Sequence, residues 1–118
     1  MLNTSLKLNL ILTAVIACAF FALAGHAQAA TYYVDGNLSA DCTAGNYSIA
    51  NRACNGSNGN AYRTVQSAAN IVAAGDSIIV RGNPGSYKEY NEGVRVSNSG
   101  TAAQKIRIQN MPGERVWI

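Results

Sequence analysis

The sequence predicts a mainly β fold in which short strands run as a parallel coil and one short helix covers the first turn of that coil. Three observations lead to this fold class. Apolar residues recur at helical spacing from Val65 to Val72, and beyond them they alternate in short runs separated by turn residues. The pairs Val94/Val96 and Val116/Ile118 also stand 22 residues apart, a spacing typical of strands in successive turns of a coil.

The predicted helix covers about ten residues, from Val65 onward. Its apolar stripe consists of residues at positions i, i+3, i+4 and i+7, namely Val65, Ala68, Ala69 and Val72. Thr64 is placed to cap the first turn, and Gly75 is placed to end the helix in the left-handed conformation. Because an isolated helix of this length is marginal in water, we expect the stripe to pack on the strands that follow.

Four strands are predicted after the helix. They cover Ser77 to Arg81, Gly93 to Val96, Lys105 to Gln109 and Arg115 to Ile118. The interior of the coil is expected to hold Ile78 or Ile79, Val94, Val96, Ile106, Ile108, Val116 and Ile118. A β-sandwich also has short strands at such intervals, but a helix directly before the first strand favours the coil, whose open end needs a cover.

Residues 1–29 are predicted to be a signal peptide. Lys7 precedes an apolar run that reaches Leu23, and small residues then lead to a cleavage site before Ala30. This pattern predicts a secreted or periplasmic protein that keeps no stable membrane span after cleavage. A membrane anchor is the alternative, but the apolar run is short for a span of about 20 residues.

The composition after cleavage argues against several classes of function. The chain has nine Lys and Arg and six Asp and Glu, and only Lys7 leaves with the signal peptide, so the remaining net charge is +2. A nucleic-acid-binding domain shows a larger basic excess. His26 is the single histidine and also leaves. The mature chain therefore has no Ser-His-Asp or Cys-His nucleophile system and lacks the commonest zinc ligand.

Two cysteines remain in the mature chain, and they predict a disulfide. Cys42 and Cys54 lie in a Gly- and Asn-rich segment, residues 35–60, with little apolar periodicity. An even cysteine count in an exported chain is typical of disulfide bonding, with two free thiols as the alternative. We interpret residues 35–60 as a surface loop that this disulfide pins.

Several stretches of residues 30–118 together resemble a known family. They are Tyr32-Tyr33-Val34-Asp35, Tyr62-Arg63-Thr64-Val65-Gln66-Ser67-Ala68, Ala74-Gly75-Asp76-Ser77-Ile78-Ile79-Val80-Arg81-Gly82, Ser86-Tyr87-Lys88-Glu89, and Lys105-Ile106-Arg107-Ile108 with Pro112-Gly113-Glu114. This pattern resembles the opening of the right-handed parallel β-helix proteins of the pectate-lyase-like superfamily. The resemblance implies that residues 30–118 form the N-terminal cap and first coils of a parallel β-helix domain, with a first strand, a capping helix and an active site on later coils. Because family members have many more coils, we expect the sequence to be an amino-terminal fragment.

The resemblance also implies an activity on acidic polysaccharide. In that family a calcium ion held by carboxylates neutralises a uronate, and a Lys or Arg takes the C5 proton in a β-elimination. The segment after the predicted helix has few carboxylates before Glu114, and they are scattered: Asp76, Glu89 and Glu92. Catalytic residues are therefore not assigned to this segment. Calcium is expected only in a longer parent protein. The predicted parent is a polysaccharide lyase or a glycoside hydrolase. A non-enzymatic adhesin or surface carbohydrate-binding module is the alternative.

If the Val and Ile side chains of the predicted strands point inward, alternation sends four cations and the single tryptophan outward, namely Arg95, Lys105, Arg107, Arg115 and Trp117. The candidate substrate-binding residues are Arg95, Arg107 and Trp117. An exposed aromatic ring beside cations suits stacking on a sugar and pairing with a uronate. The alternative is that these charges only keep strand edges soluble. The expected partner is therefore a polysaccharide, with uronate-containing polysaccharides among the candidates, and not nucleic acid.

Overall fold

A computed structural model describes residues 28–118, which form two parallel sheets and one short helix. The elements are β1 (Thr31–Val34), β2 (Ala61–Tyr62), α1 (Val65–Ala69), β3 (Ser77–Val80), β4 (Tyr87–Glu89), β5 (Arg107–Asn110) and β6 (Arg115–Trp117). The predicted signal peptide lies outside the described residues except for its last two positions, so it stays a prediction.

The larger sheet has four strands in the order β2-β1-β3-β5, and every neighbouring pair is parallel. Tyr32 lies opposite Ile78, which lies opposite Ile108, so these three side chains share one face. The smaller sheet pairs β4 with β6, also in parallel. Long connections join all the paired strands, as parallel pairing requires.

The helix packs on one face of the larger sheet and forms the main core with it. The predicted apolar stripe is confirmed: Val65, Ala68, Ala69 and Val72 are all fully buried. They pack in one cluster with Val34, Ile78, Val80 and Tyr90, and Val94, Ile106 and Val116 lie at its margin. Burial of this stripe holds in place a helix that is too short to be stable alone.

The helix is shorter than predicted. Thr64 caps it as expected, because its hydroxyl accepts a hydrogen bond from the Ser67 amide at 3.1 Å. The α-helix ends at Ala69, however, with Asn70 as its C-terminal cap. Gly75 does not cap the helix; it has a φ of +93° in the turn that leads into β3. The chain needs this turn to reverse direction and enter the sheet, so the predicted length was about twice the observed five residues.

The disulfide loop covers the opposite face of the larger sheet. Cys42 and Cys54 are bonded, as predicted, with their Cα atoms 5.2 Å apart. The loop is more than a surface segment, because Leu38, Cys42 and Tyr47 are buried against Tyr33 and Ala61 in a second apolar cluster. The sheet is therefore packed on both faces.

The predicted fold class, a right-handed parallel β-helix with an N-terminal capping helix, is wrong. The described residues form two short parallel sheets with one small helix and complete no β-helix coil. Residues 93–96, predicted as a strand, are in no strand. β6 pairs instead with β4, which was not among the predicted strands. The spacing of 22 residues is thus not a structural repeat.

The interior predicted for that coil is also only partly formed. Ile78 is buried, and Val94, Ile106 and Val116 are partly buried, but Val96, Ile108 and Ile118 are 38%, 40% and 54% exposed. Alternation shows only that one side of a short run meets apolar neighbours. Alternation does not show that further strands enclose that apolar side. In this protein the described strands do not enclose it.

Candidate functional site

The outer face of the smaller sheet carries two aromatic rings and an arginine. Tyr87 on β4 lies opposite Arg115 on β6, and Glu89 lies opposite Trp117. Opposed residues of a sheet project to the same side, so these four side chains share one face. All four are exposed. We call this set of four residues the aromatic face.

Contacts on the inner side of β6 hold this face in place. The side chain of Val116 points the other way and packs against the main core. The Tyr90 amide donates to the Trp117 carbonyl oxygen at 2.9 Å, which extends the ladder beyond β4. At the start of β6, the backbone of Arg115 lies so close to Gly82 that any Cβ at position 82 would clash with it. Only glycine therefore allows β6 to dock there.

The two rings lie beside each other on the diagonal of the strand pair. The ring centroids of Tyr87 and Trp117 are 6.0 Å apart and the rings are tilted by 49°. The Arg115 guanidinium carbon lies 5.5 Å from the centre of the Tyr87 ring. Despite these contacts, 59% of Tyr87 and 68% of Trp117 remain exposed. More than half of the surface of each residue is therefore open to a ligand.

This arrangement has the chemistry of a sugar-binding surface. Aromatic rings are large, rigid apolar surfaces that lose little conformational entropy on binding, and they accept positively polarised groups on their faces. A guanidinium group pairs with a carboxylate through two parallel hydrogen bonds. Arg115 takes part in none of the ion pairs among the described residues. Its donors are therefore available to an anionic ligand.

A buried ionic network lies behind the start of β6. Arg81, directly after β3, donates to both carboxylate oxygens of Glu114 at 2.7–3.0 Å and also to the Tyr47 hydroxyl at 2.8 Å. Tyr47 in turn donates to Asp35 at 2.8 Å, and Arg52 binds Asp35 with two hydrogen bonds of 2.6 and 2.9 Å. The network connects the disulfide loop, β1, β3 and the turn before β6.

The pKa values of this network favour its charged state. Hydrogen bonds from Arg81 hold the pKa of Glu114 below its usual range. Burial alone would raise the pKa of Asp35, but hydrogen bonds from Arg52, the Asn37 amide and Tyr47 outweigh burial and lower it. The pKa of Arg81 is raised, chiefly by its hydrogen bonds to Glu114. The charged groups of this network are hydrogen-bonded to one another, so we assign the network a structural role.

An open groove of about 480 Å³ adjoins the aromatic face and shares Tyr87 and Arg115 with it. Its apolar lining comes from Val80, Ile108, Val116 and Ile118, and its polar lining includes Gln109 and Asn110.

The three predicted substrate-binding residues lie on different elements. Trp117 is on β6 in the smaller sheet, whereas Arg107 begins β5 at the edge of the larger sheet, opposite Ser77. Arg95 lies in no strand, and its backbone exchanges two hydrogen bonds with the Gln66 side chain. The sheet pairing places none of the predicted cations beside Trp117. The roles of Arg95 and Arg107 stay predictions.

The substrate-binding residues predicted from the sequence did not include Tyr87 or Arg115. The sequence contained some signal for both, because Tyr87 follows the turn residues Pro84 and Gly85, and Arg115 was expected to point outward. What the sequence did not show was that β4 exists and pairs with β6 in this register. The 29 residues between Tyr87 and Trp117 carry no signal that brings the two rings together.

The described residues offer no metal centre. In this part of the chain no group of three or more His, Cys, Asp or Glu side chains is arranged to hold a metal ion. Across residues 28–118, there is also no helix with the length and apolar character needed to cross a membrane.

Comparisons of the chain with protein-family models, with curated proteins and with solved structures find no match. The resemblance to the pectate-lyase-like superfamily therefore stays a sequence-based prediction.

Proposed function

We propose that the protein is an exported polysaccharide-binding protein and that its ligand, an acidic polysaccharide, lies across the aromatic face. The observation that carries the proposal is the exposure of Tyr87 and Trp117, side by side on a hydrogen-bonded ladder with Arg115 over one ring. Export is supported by the predicted signal peptide and by the disulfide, which is typical of oxidising compartments.

The competing explanation is that these side chains only solubilise a sheet edge. Positions that keep a sheet edge soluble are typically occupied by charged residues such as Lys. Here two large aromatic residues expose more than half of their surface instead. Paired, exposed aromatic rings instead fit a ligand with alternating apolar and polar groups, as a sugar chain has. Both aromatic residues are more than half exposed, so a ligand on this face would stay largely in contact with water, and we expect a dissociation constant of about 1 mM or weaker.

Charge on the face selects the type of polysaccharide. Arg115 attracts a carboxylate, whereas Glu89, opposite Trp117, repels one. We infer that uronate groups bind at the Tyr87–Arg115 end of the face. A lyase or hydrolase activity remains an expectation from the sequence resemblance, but no contact among the described residues favours catalysis over binding.

Affinity electrophoresis of the exported protein tests the proposal. Gels contain polygalacturonate, alginate or a neutral soluble glucan. Trp117→Ala should weaken binding to polygalacturonate roughly fivefold, because one stacked ring is worth about 1 kcal/mol. Arg115→Gln should weaken binding to the acidic polymers only, and Glu89→Gln should strengthen it.

Arg63→Gln serves as the matched control, since Arg63 is an exposed arginine far from β4 and β6 in sequence, paired with Asp41. Equal retardation of the wild type, the Trp117→Ala variant and the Arg115→Gln variant would refute the proposal. Variants of Arg95 and Arg107 report whether the polymer extends beyond the aromatic face.

Cleavage is tested separately. We expect no unsaturated product from polygalacturonate or alginate, with or without calcium, when absorbance is followed over time. A calcium-dependent rise in absorbance that Arg95→Ala or Lys105→Ala abolishes would show that this segment does carry lyase chemistry.

A further inference from the structure

The backbone nitrogen of Ala30 is bound to a buried carboxylate. It donates to Asp76 Oδ1 at 2.7 Å, while the other carboxylate oxygen accepts from the Ala73 amide at 2.8 Å. Asp76 is only 5% exposed. The Ala30 carbonyl accepts from the Ser77 amide at 2.9 Å, so the chain enters the sheet at this residue.

The same nitrogen lies at the cleavage site predicted from the sequence, between Ala29 and Ala30. Hydrolysis of that peptide bond by a signal peptidase consumes one water molecule. It leaves a carboxylate on Ala29 and turns the Ala30 amide nitrogen into a free α-amine, which is protonated at neutral pH. A cation would then form at the position of the present hydrogen-bond donor.

We propose that Ala30 is the first residue of the mature protein and that its new α-ammonium group forms an ion pair with buried Asp76. Among the described residues, Asp76 forms no ion pair with another side chain. Its carboxylate accepts hydrogen bonds from the backbone amides of Ala30 and Ala73. A buried carboxylate without a cation is costly, and a charge-assisted hydrogen bond is roughly twice as strong as a neutral one. Cleavage supplies the missing cation.

The ion pair would anchor β1 to β3, the two central strands of the larger sheet. Ala30 immediately precedes β1, whose first residue, Thr31, lies opposite Ser77 at the start of β3. Asp76 immediately precedes β3. The pair therefore joins the starts of the two central strands and sets their register. Removal of the signal peptide would stabilise the fold as well as release the protein.

Amine labelling of the exported protein tests this proposal. The full 118-residue chain is expressed in an exporting bacterium, and the mass of the exported product should correspond to a chain that begins at Ala30. The product is then pulsed with an acetylating reagent at neutral pH. A free α-amine has the lower pKa and normally reacts before lysine. In the folded protein we expect the reverse order, with exposed Lys105 labelled at least tenfold faster than Ala30.

Urea should restore the normal order, because unfolding releases the α-amine. Asp76→Asn should speed labelling of Ala30 at least tenfold, whereas Asp41→Asn, at an exposed aspartate outside this contact, should not. If Asp76→Asn fails to fold, the comparison of native and urea-treated wild type decides alone. A different first residue, or an α-amine that reacts before Lys105 in the folded protein, would overturn the proposal.

Discussion

At the scale of single residues, the buried network around Arg81 and Asp35 sets the stability of the region that supports the aromatic face. The side chains of Arg81 and Glu114 are only 7% and 11% exposed. Ion pairs this buried are costly to break, because each leaves an uncompensated charge in the interior when its partner is removed. The exposed pair between Arg63 and Asp41 is different, since solvent screens both charges.

Arg81→Met should therefore lower the free energy of unfolding by about 3 kcal/mol. The loss arises from the Glu114 carboxylate, which is left without its cation, and from the Tyr47 hydroxyl and the Ile49 carbonyl, which lose the hydrogen bonds that Arg81 donates. Urea denaturation followed by circular dichroism measures it. Arg63→Met, the matched control, should change the free energy of unfolding by less than about 0.5 kcal/mol. Similar losses in the two variants would contradict the structural role of the network.

Acid should weaken the same network. The pKa values of Glu114 and Asp35 are lowered in the folded protein, so the folded state binds fewer protons than the unfolded state at mildly acidic pH. Their contribution to stability is complete above the unfolded carboxyl pKa of about 4 and is lost as pH falls through the folded pKa values. We expect unfolding free energy to fall below about pH 4.

Glu114→Gln should flatten that pH dependence, because it removes one of the two carboxylates whose pKa is lowered. Exposed Glu89, changed to Gln, provides the control. Denaturation midpoints measured between neutral pH and strong acid report the slope. An unchanged slope in Glu114→Gln would show that the pair with Arg81 does not form in solution.

At the scale of elements, helix α1 depends on a cap that comes from a distant part of the chain. The amides of Val65 and Gln66 both donate to the Glu92 carboxylate, at 2.9 and 2.8 Å. These amides have no partners within the helix, and a carboxylate there is also favoured by the helix dipole. Glu92 thus binds the segment after β4 to the start of the helix.

Glu92→Gln should destabilise the protein by about 1 kcal/mol, and Thr64→Ala should cost a similar amount through loss of the hydroxyl cap. Thermal unfolding measures both. The double variant shows whether the two caps act independently. If neither single variant lowers Tm while the control Glu89→Gln behaves like the wild type, then the cap from Glu92 is absent in solution.

At the scale of the whole molecule, features that depend on local pattern were predictable and features that depend on strand pairing were not. The buried stripe of α1 follows from helical periodicity, and the disulfide follows from the cysteine count. β1 and β3 pair across 46 residues, and β4 joins β6 only through a register that no local signal specifies. The parallel coil was predicted from the spacing of Val94/Val96 and Val116/Ile118, and only Val116 of these four residues lies in a strand.

In the candidate site, too, local pattern was predictable from the sequence and strand pairing was not. Trp117 and Arg115 were expected to be exposed from alternation along β6, and both are. Tyr87 completes the aromatic face only because β4 lies beside β6. The buried network joins Asp35, Arg52, Arg81 and Glu114 at irregular separations in the sequence, so no spacing rule could have assembled it.

The most direct test of the proposed function uses the fluorescence of Trp117, the only tryptophan in the chain. Because this ring lies on the aromatic face, its emission reports binding there without a label. Titration with oligogalacturonate should give a saturable change in emission, with a dissociation constant of about 1 mM or weaker. The change should weaken severalfold in Arg115→Gln and in Tyr87→Ala, and a neutral oligosaccharide should bind the wild type and Arg115→Gln equally. An emission spectrum that stays constant at tens of millimolar oligogalacturonate, or a wild-type response in both variants, would contradict the account.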